Sequence, residues 1–125
     1  MKIRIITFIL IFLVISCKRK SNTIVFAPQR ILTYNFYKKS NSIDAQFKIF
    51  NVGENDLKID SIITDCSCIV TEITKRQVKP NDSTQILVRY ENTHPGVFQQ
   101  NVFVFCNIDY SPLLLTLQGE VERKK

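Results

Sequence analysis

Hydrophobic and polar residues alternate along several short segments of this chain, most clearly at residues 42–50. The polar positions of that segment are Asp44, Gln46 and Lys48. The apolar positions, which share the opposite face, are Ile43, Ala45, Phe47 and Ile49. Alternation with a period of two predicts a strand with one face in a core and the other in water.

Similar segments predict further strands, separated by polar turns. The predicted strands are residues 24–26, at an edge, and residues 30–37, 57–63, 69–73, 84–90, 98–106 and 113–121. In the strand at residues 57–63, the alternation places Ile63 on the same inward face as Leu57. The apolar second half of residues 98–106 is typical of a strand that is buried on both faces.

Two turns have residues that suit a particular backbone geometry. In the turn at residues 51–55, Gly53 can adopt a positive φ. In the turn at residues 79–82, Pro80 has the fixed φ that the second position of a β-turn needs.

About seven short strands with turns between them predict an all-β fold, an immunoglobulin-like antiparallel β-sandwich over residues 30–122. A small closed barrel is the alternative. Beyond the first 16 residues, no segment shows the 3.6-residue apolar stripe of a helix. The composition agrees with a small β domain, since the 125 residues include nine Phe and four Tyr, which favour strands.

The first 16 residues, MKIRIITFILIFLVIS, have a different pattern, with two basic residues before an apolar run at residues 5–15. That run is short of the roughly 20 residues of a transmembrane helix, so it predicts a signal peptide. The segment ends in Val-Ile-Ser followed by Cys17, which resembles the lipobox of bacterial lipoproteins. We therefore expect residues 1–16 to be cleaved and Cys17 to be lipidated.

An ordinary signal peptide cut nearby, or an uncleaved anchor, are the alternatives to lipidation of Cys17. Residues 17–29 would form the lipid anchor and tether, and acylation by two or three chains would hold the protein on a membrane. Residues 18–20 are basic, whereas lipoproteins exported to the surface of some bacteria carry acidic residues there. We expect a membrane-anchored lipoprotein of the cell envelope that faces the periplasm.

The formal charge of +6 is concentrated at the two ends of the chain. Eight of the 17 basic residues lie in the leader, at residues 18–20 or in the basic tail at residues 123–125, so nine basic residues face eleven acidic ones elsewhere. This distribution argues against a nucleic-acid partner. The terminal clusters fit either an anionic lipid surface or solvated ends.

After Cys17, the chain has three cysteines, Cys66, Cys68 and Cys106, an odd number for an oxidising compartment. In an extended strand, the Cα atoms of Cys66 and Cys68 would be about 6.6 Å apart. Because disulfides usually join Cα atoms about 5.5–6 Å apart, a bridge between them requires the chain to bend.

Four interpretations of these cysteines stay open at this point. They are structural buried thiols; a structural disulfide, either Cys66–Cys68 or one of these with Cys106; a redox-active pair; and a soft-metal site, such as Cu(I) on Cys66 and Cys68. The redox pair lacks the helix N-terminus of C-x-x-C proteins. Metal ligands are scarce, since residues 17–125 contain no Met and one His.

Other candidate groups give little support to catalysis. His94 precedes Pro95 in a turn and is expected to be a solvated loop residue. Asp60 and Asp65 could form a carboxylate pair, although exposed strand and turn positions explain them equally well. The sequence contains no G-x-S-x-G, H-E-x-x-H or P-loop pattern. We expect a protein that is not an enzyme and has no cofactor.

An ordered set of short motifs is more specific than the strand pattern. Its members are Asn51-x-Gly53, Leu57-x-Ile59, Cys66-x-Cys68, a turn with Pro80, Gly96-x-Phe98, Asn107 and Gly119-x-Val121. The set resembles the bacterial family called domain of unknown function 1573, whose members resemble immunoglobulin-like modules of hydin and related ciliary and centrosomal proteins. The resemblance covers residues 34–121. It implies a periplasmic or lipid-anchored binding module of unknown ligand, without established catalysis.

The chain departs from the family pattern at several positions. Ser67 and Asn81 stand where Gly is usual, Ile69 where Thr is usual and Asp56 where Pro is common, and residues 36–37 replace a Phe-Gly step.

These observations favour a non-catalytic, lipid-anchored binding or scaffold module that docks a protein partner on a sandwich edge or strand face. A thiol redox or copper-handling protein that uses Cys66 and Cys68 is the alternative. A subunit of a larger envelope assembly is a third possibility.

Overall fold

The computed structural model describes residues 22–35, 42–91 and 94–122. Within these ranges the chain forms nine strands in two facing sheets, which confirms the predicted all-β sandwich. The strands are β1 (Val25–Phe26), β2 (Ile31–Asn35), β3 (Ser42–Asn51), β4 (Leu57–Thr64), β5 (Ile69–Ile73), β6 (Gln77–Val78), β7 (Ser83–Glu91), β8 (Gly96–Cys106) and β9 (Leu113–Val121).

Several sequence predictions concern residues outside these ranges. The signal peptide at residues 1–16, the lipidation of Cys17 and the basic tail at residues 123–125 all do. Among the residues that the structure describes, no helix is long and apolar enough to cross a membrane.

One sheet has four strands in the order β1-β3-β7-β5, and the other has five in the order β2-β9-β8-β4-β6. Neighbouring strands are antiparallel, except that β2 runs parallel to β9. The first described segment contributes β1 to one sheet and β2 to the other. β1 lies at an edge of its sheet, as predicted for residues 24–26.

The core lies between the two sheets, and its apolar side chains come from alternate strand positions. In β3 the alternation is the predicted one, since Ile43, Ala45, Phe47 and Ile49 are buried and the polar residues between them are exposed. The largest apolar side chains with almost no exposed surface are Phe47, Ile49, Leu57, Ile86, Leu113, Leu115 and Leu117.

A β-bulge interrupts β4 between Ile59 and Ser61, where its pairing with β8 shifts by one residue. Beyond the bulge, Ile62 packs against the core, whereas Ile63 is 52% exposed. The prediction that Ile63 faces inward is wrong, because the extra residue of a bulge reverses the alternation that follows it.

β8 occupies the centre of the five-stranded sheet, but it is not buried on both faces as predicted. Val102 and Val104 are fully buried, whereas Phe103 and Phe105 are half-buried. The two valines face the opposite sheet, and the two phenylalanines lie on the outer face, which the sandwich leaves partly open.

The turn at residues 79–82 forms as predicted and brings Asn81 into the left-handed region, with φ 66°. The N–H of Asp82 donates to the carbonyl of Lys79 at 3.1 Å. Positive φ at the third position defines a type II turn, where Gly is usual and Asn is tolerated. Asn81 can therefore replace the family's usual Gly without changing the turn.

The two ends of the sandwich differ in the turns they carry. The tether end, where the chain arrives at Asn22, carries the turns at residues 51–56, 79–82 and 107–112. The disulfide end, at the other end of β4 and β8, carries Cys66, Cys68 and Gly96. Thr23 fixes the arriving chain at the tether end, because its N–H donates to the carbonyl of Asn107 at 2.9 Å.

Asn51 joins the turns of the tether end and is completely buried. Its Oδ1 accepts hydrogen bonds from the Thr23 hydroxyl at 2.7 Å and from the Gly53 N–H at 3.2 Å. Its Nδ2 donates to the carbonyls of Asn55 at 2.8 Å and Val78 at 2.9 Å. The amide is therefore fully paired, as a buried amide must be to avoid a large desolvation cost.

Gly53 does not use the positive φ that the sequence made available. A Cβ at this position would instead lie 2.6 Å from the backbone nitrogen of Ile24 and would also meet Thr23. Glycine is needed here because the arriving chain crosses directly over the turn.

Candidate binding surface

The turn between β4 and β5 contains a disulfide between Cys66 and Cys68. The chain bends there, since the Ile69 N–H donates to the Cys66 carbonyl at 3.3 Å and the two cysteine Cα atoms are 5.2 Å apart. The Cys68 N–H also points at the Cys66 sulfur, at 3.1 Å. Of the four interpretations of the cysteines, this arrangement is the disulfide within the C-x-C pair.

Cys106 lies away from that turn and is the free cysteine of the described residues. In the pairing of β4 with β8, Cys106 lies opposite Ile59. At the disulfide end of the same pair, Val102 lies opposite Thr64. Cys106 lies four residue steps along β8 from Val102, or about 13 Å at the rise of a strand, which is too far for a bridge to Cys66. Burial raises the pKa of the Cys106 thiol to about 11, and the charge of Asp60 adds to this effect.

Among the strands that the structure describes, β5 lies at the edge of the four-stranded sheet, and β7 is its one neighbour. The N–H of Glu91 donates to the carbonyl of Cys68, and the N–H of Thr74 donates to the carbonyl of Gln85. Because such bonds alternate along an antiparallel pair, the peptide groups of Thr71 and Ile73 point away from β7. They form an open row of donors and acceptors along this edge.

A shallow depression of about 420 Å³ lies beside this edge, on the outer face of the sheet. Val70 and Glu72 of β5 contribute to its lining, together with the half-buried Leu87 of β7. Val70 is 60% exposed. The depression therefore combines an apolar surface with a carboxylate, directly beside the free edge.

An ion pair between β7 and β3 contributes to the lining of the depression. The guanidinium of Arg89 donates to the carboxylate of Asp44 through Nε at 2.7 Å and through Nη2 at 3.3 Å. The hydrogen bond from Arg89 holds the pKa of Asp44 below its ordinary value. Two parallel bonds fix the plane of the guanidinium, so the pair presents a rigid polar border to the depression.

The structure does not bring the other candidate groups into a catalytic or metal-binding arrangement. Four residues separate Asp60, in β4, from Asp65, which follows that strand, and the Asp65 carboxylate accepts two hydrogen bonds from Asn101, each at 3.1 Å. His94 is exposed, as expected of a loop histidine. Within the described ranges, no group of three or more His, Cys, Asp or Glu side chains could hold a metal ion.

A family model described as protein of unknown function DUF1573 matches residues 25–121, the full extent of the sandwich. The chain belongs to this family. The sequence resemblance is thereby confirmed, including its reach to the last strand. No curated protein sequence matches the chain.

Solved structures similar to this DUF1573 chain share its fold at low sequence identity. A protein of unknown function from Porphyromonas gingivalis W83 has 16% identity and a TM-score of 0.72 over 84% of this chain and 50% of that chain. This chain therefore spans about half of that protein. The PapD-like domain 7 of human CEP192, an ASH domain, has 10% identity and a TM-score of 0.65 over 88% of this chain and 93% of that chain.

A protease from Vibrio cholerae, VesB, also contains a similar region. It has 10% identity and a TM-score of 0.61, over 82% of this chain but 32% of the protease chain. A likeness at this identity is evidence of fold alone.

The sequence singled out the cysteines but missed the surface beside them. Asp44 and Arg89 are 45 residues apart, and only the β3–β7 register brings them opposite each other. Nothing in the local pattern of residues 69–73 shows that β5 lies at an edge. Strand order is a property of the whole topology, so periodicity within one segment could not have found this surface.

Proposed function

We propose that this DUF1573 chain is a non-catalytic, lipid-anchored binding module that faces the periplasm and docks a partner protein along β5. The observation that carries the proposal is the open edge of β5, where Thr71 and Ile73 direct backbone groups away from the sheet. The depression lined by Val70 and Glu72 lies next to it.

An extended peptide can pair with such an edge by β-addition. Each outward peptide group of β5 supplies one donor and one acceptor, which provides affinity without sequence selectivity. Side chains beside the edge supply the selectivity. Here the exposed Val70 favours an apolar side chain of the partner, and Glu72 favours a basic one.

The lipid anchor is supported by the sequence around Cys17. Its apolar run is followed by a lipobox-like Val-Ile-Ser-Cys, and the basic residues 18–20 suit a position next to anionic lipid. The absence of a catalytic motif from the sequence supports a binding role. Mass spectrometry of the mature N-terminus tests the anchor, since an N-terminus other than an acylated Cys17 would contradict it.

Site-specific crosslinking in the cell envelope tests the docking site. A photo-reactive amino acid at Glu72 of the full chain should give a discrete protein adduct. Thr71→Pro should abolish that adduct, because proline removes the outward N–H but no bond to β7. Thr33→Pro is the matched control, since the N–H of Thr33 points away from β9 at the edge of the other sheet.

Three results separate the parts of this proposal. No adduct from a membrane-bound protein, or an adduct that survives Thr71→Pro, rejects docking along β5 and leaves the anchor intact. Equal loss of the adduct in the Thr33→Pro control means that the effect is not specific to β5. Release of the protein from membranes rejects the anchor.

A thiol redox role is the second candidate, favoured by the disulfide between Cys66 and Cys68 in a half-exposed turn. In such a role, a partner dithiol reduces this bridge and is itself oxidised to a disulfide. Copper handling would require the reduced pair, since a disulfide offers no thiolate. Replacing both cysteines with Ser tests this candidate: a folded variant whose cells lose resistance to oxidant or copper would favour it over the binding module.

A further inference from the structure

An exposed apolar patch lies on the outer face of the four-stranded sheet, at the tether end. Phe26 of β1 is paired with Phe50 of β3, and their ring centroids are 6.5 Å apart. Next to them, the Val52 N–H donates to the carbonyl of Ile24 at 2.9 Å. Ile24, Phe26 and Val52 are each more than half exposed, at 61%, 55% and 54%. We call these four side chains the apolar patch.

The border of the apolar patch contains residues that suit a boundary between lipid and water. The ammonium of Lys48 lies 4.9 Å from the ring centroid of Phe50. Tyr110 is 50% exposed beside β1, and its hydroxyl donates to the Val25 carbonyl at 3.3 Å. Tyrosine and lysine place an apolar body against lipid and a polar tip in the headgroup region.

The length of the tether limits what can reach this patch. Five residues lead from Cys17 to Asn22, a distance of at most about 18 Å when the chain is extended. Ile24 follows two residues later, on the patch itself. Residues 18–20 are all basic, so each is attracted to an anionic membrane surface.

We propose that the apolar patch lies against the anionic membrane surface that holds the lipidated Cys17. This inference rests on the proposed lipid anchor. The membrane is favoured over a partner protein or a second copy because the basic tether confines the patch within reach of lipid. Contact of both the lipidated Cys17 and the apolar patch with the membrane would hold the protein in a single orientation. β1 then contacts the membrane while β5, at the opposite edge of the sheet, stays free for a partner.

The chain contains no Trp, so one introduced tryptophan is an unambiguous probe. We would reconstitute the full lipidated Phe26→Trp protein into vesicles of phosphatidylethanolamine and phosphatidylglycerol, with and without brominated acyl chains. Bromine quenches tryptophan that penetrates the lipid, and we expect at least a twofold loss of fluorescence. Val97→Trp is the control, because Val97 is 84% exposed and lies next to Gly96 at the disulfide end. Its fluorescence should not change.

Each outcome supports or rejects the proposal. Quenching of Phe26→Trp with none of Val97→Trp supports it, whereas equal quenching of both, or of neither, in vesicle-bound protein rejects the orientation and leaves the anchor intact. Protein that washes off the vesicles rejects the anchor and the patch together. A concentration-dependent blue shift of Phe26→Trp without quenching would assign the patch to a second copy. If Phe26→Trp does not fold, Val52→Trp replaces it.

Discussion

The two ends of the sandwich hold their turns by different physical means. At the tether end, the buried amide of Asn51 makes four hydrogen bonds that join the arriving chain, the following turn and β6. At the disulfide end, a covalent bond between Cys66 and Cys68 shapes a half-exposed turn. The covalent bond is the stronger interaction, yet we expect the hydrogen-bonded end to contribute more to the free energy of unfolding.

The reason lies in what each interaction constrains. The disulfide closes a loop of three residues, so it removes little entropy from the unfolded chain. The amide of Asn51 is the partner of four groups at a buried site, and its removal takes one hydrogen bond from each of them. The strength of a bond alone therefore does not measure the contribution of a contact to stability.

Asn51→Ala tests the contribution of the tether end to stability. We expect it to lower the free energy of unfolding by about 4 kcal/mol, since it removes four hydrogen bonds from a completely buried amide, including the one from the Thr23 hydroxyl. Urea denaturation measures the change. The matched control is Asn55→Ala, which removes an exposed hydrogen bond to the Asn22 carbonyl and should cost about 0.5 kcal/mol. Equal losses in the two variants would contradict the central role of Asn51.

Gly53→Ala tests whether the arriving chain is held as closely as the structure shows. The new Cβ would overlap the backbone of Ile24, so the tether segment must move away from the turn. We expect a loss of about 2 kcal/mol in the free energy of unfolding. Glu54→Ala, at the exposed neighbouring position, should change stability by less than about 0.5 kcal/mol. A neutral Gly53→Ala variant would show that the contact with Ile24 is not tight in solution.

Replacing Cys66 and Cys68 with Ser tests the contribution of the disulfide end to stability. Loop-closure entropy for three residues predicts a loss of about 1.5 kcal/mol. Hydrogen exchange should accelerate at Ile69 and at few other positions, because the bridge shapes one turn. Ser67→Ala keeps the bridge and should leave both readouts unchanged. If the double variant is destabilised more than Asn51→Ala, the disulfide end contributes more to the free energy of unfolding than the tether end, contrary to our expectation.

Strand positions could be predicted from the sequence where one face of a strand is buried and the other is not. β3 satisfies that condition along most of its length, so its alternation gave the correct inward residues. The bulge in β4 could not be predicted, because it depends on pairing with β8. β6 has two residues, too few for any period to be detected.

The candidate binding surface was less predictable than the fold. The spacing of Cys66 and Cys68 showed that a bridge requires a bend, but only the backbone shows whether the bend forms. The open edge of β5 depends on strand order, and the apolar patch depends on the pairing of β1 with β3. Both are contacts between distant segments, whereas the patterns in a sequence report mainly on local ones.

Cys106 is a cysteine at the tether end, and we expect its replacement to change stability less than the substitutions above, apart from their controls. Cys106→Ala should cost about 1 kcal/mol at pH 7, the loss of one small buried group. The larger difference appears in the pH dependence. The thiol has a pKa of about 11 in the fold against an ordinary value of 9.0, so the unfolded chain loses this proton first.

The native protein should therefore lose stability as the pH rises from 9 to 11, a loss that Cys106→Ala should lack. Urea denaturation of both proteins at pH 8, 9 and 10 isolates the contribution of this thiol, because lysines and tyrosines titrate in both. If the unfolding free energies of the two proteins change in parallel with pH, the thiol is no more buried in the fold than in the unfolded chain. Converging curves of unfolding free energy against pH would show that Cys106 is held as a neutral packing residue, while the disulfide between Cys66 and Cys68 lies at the opposite end.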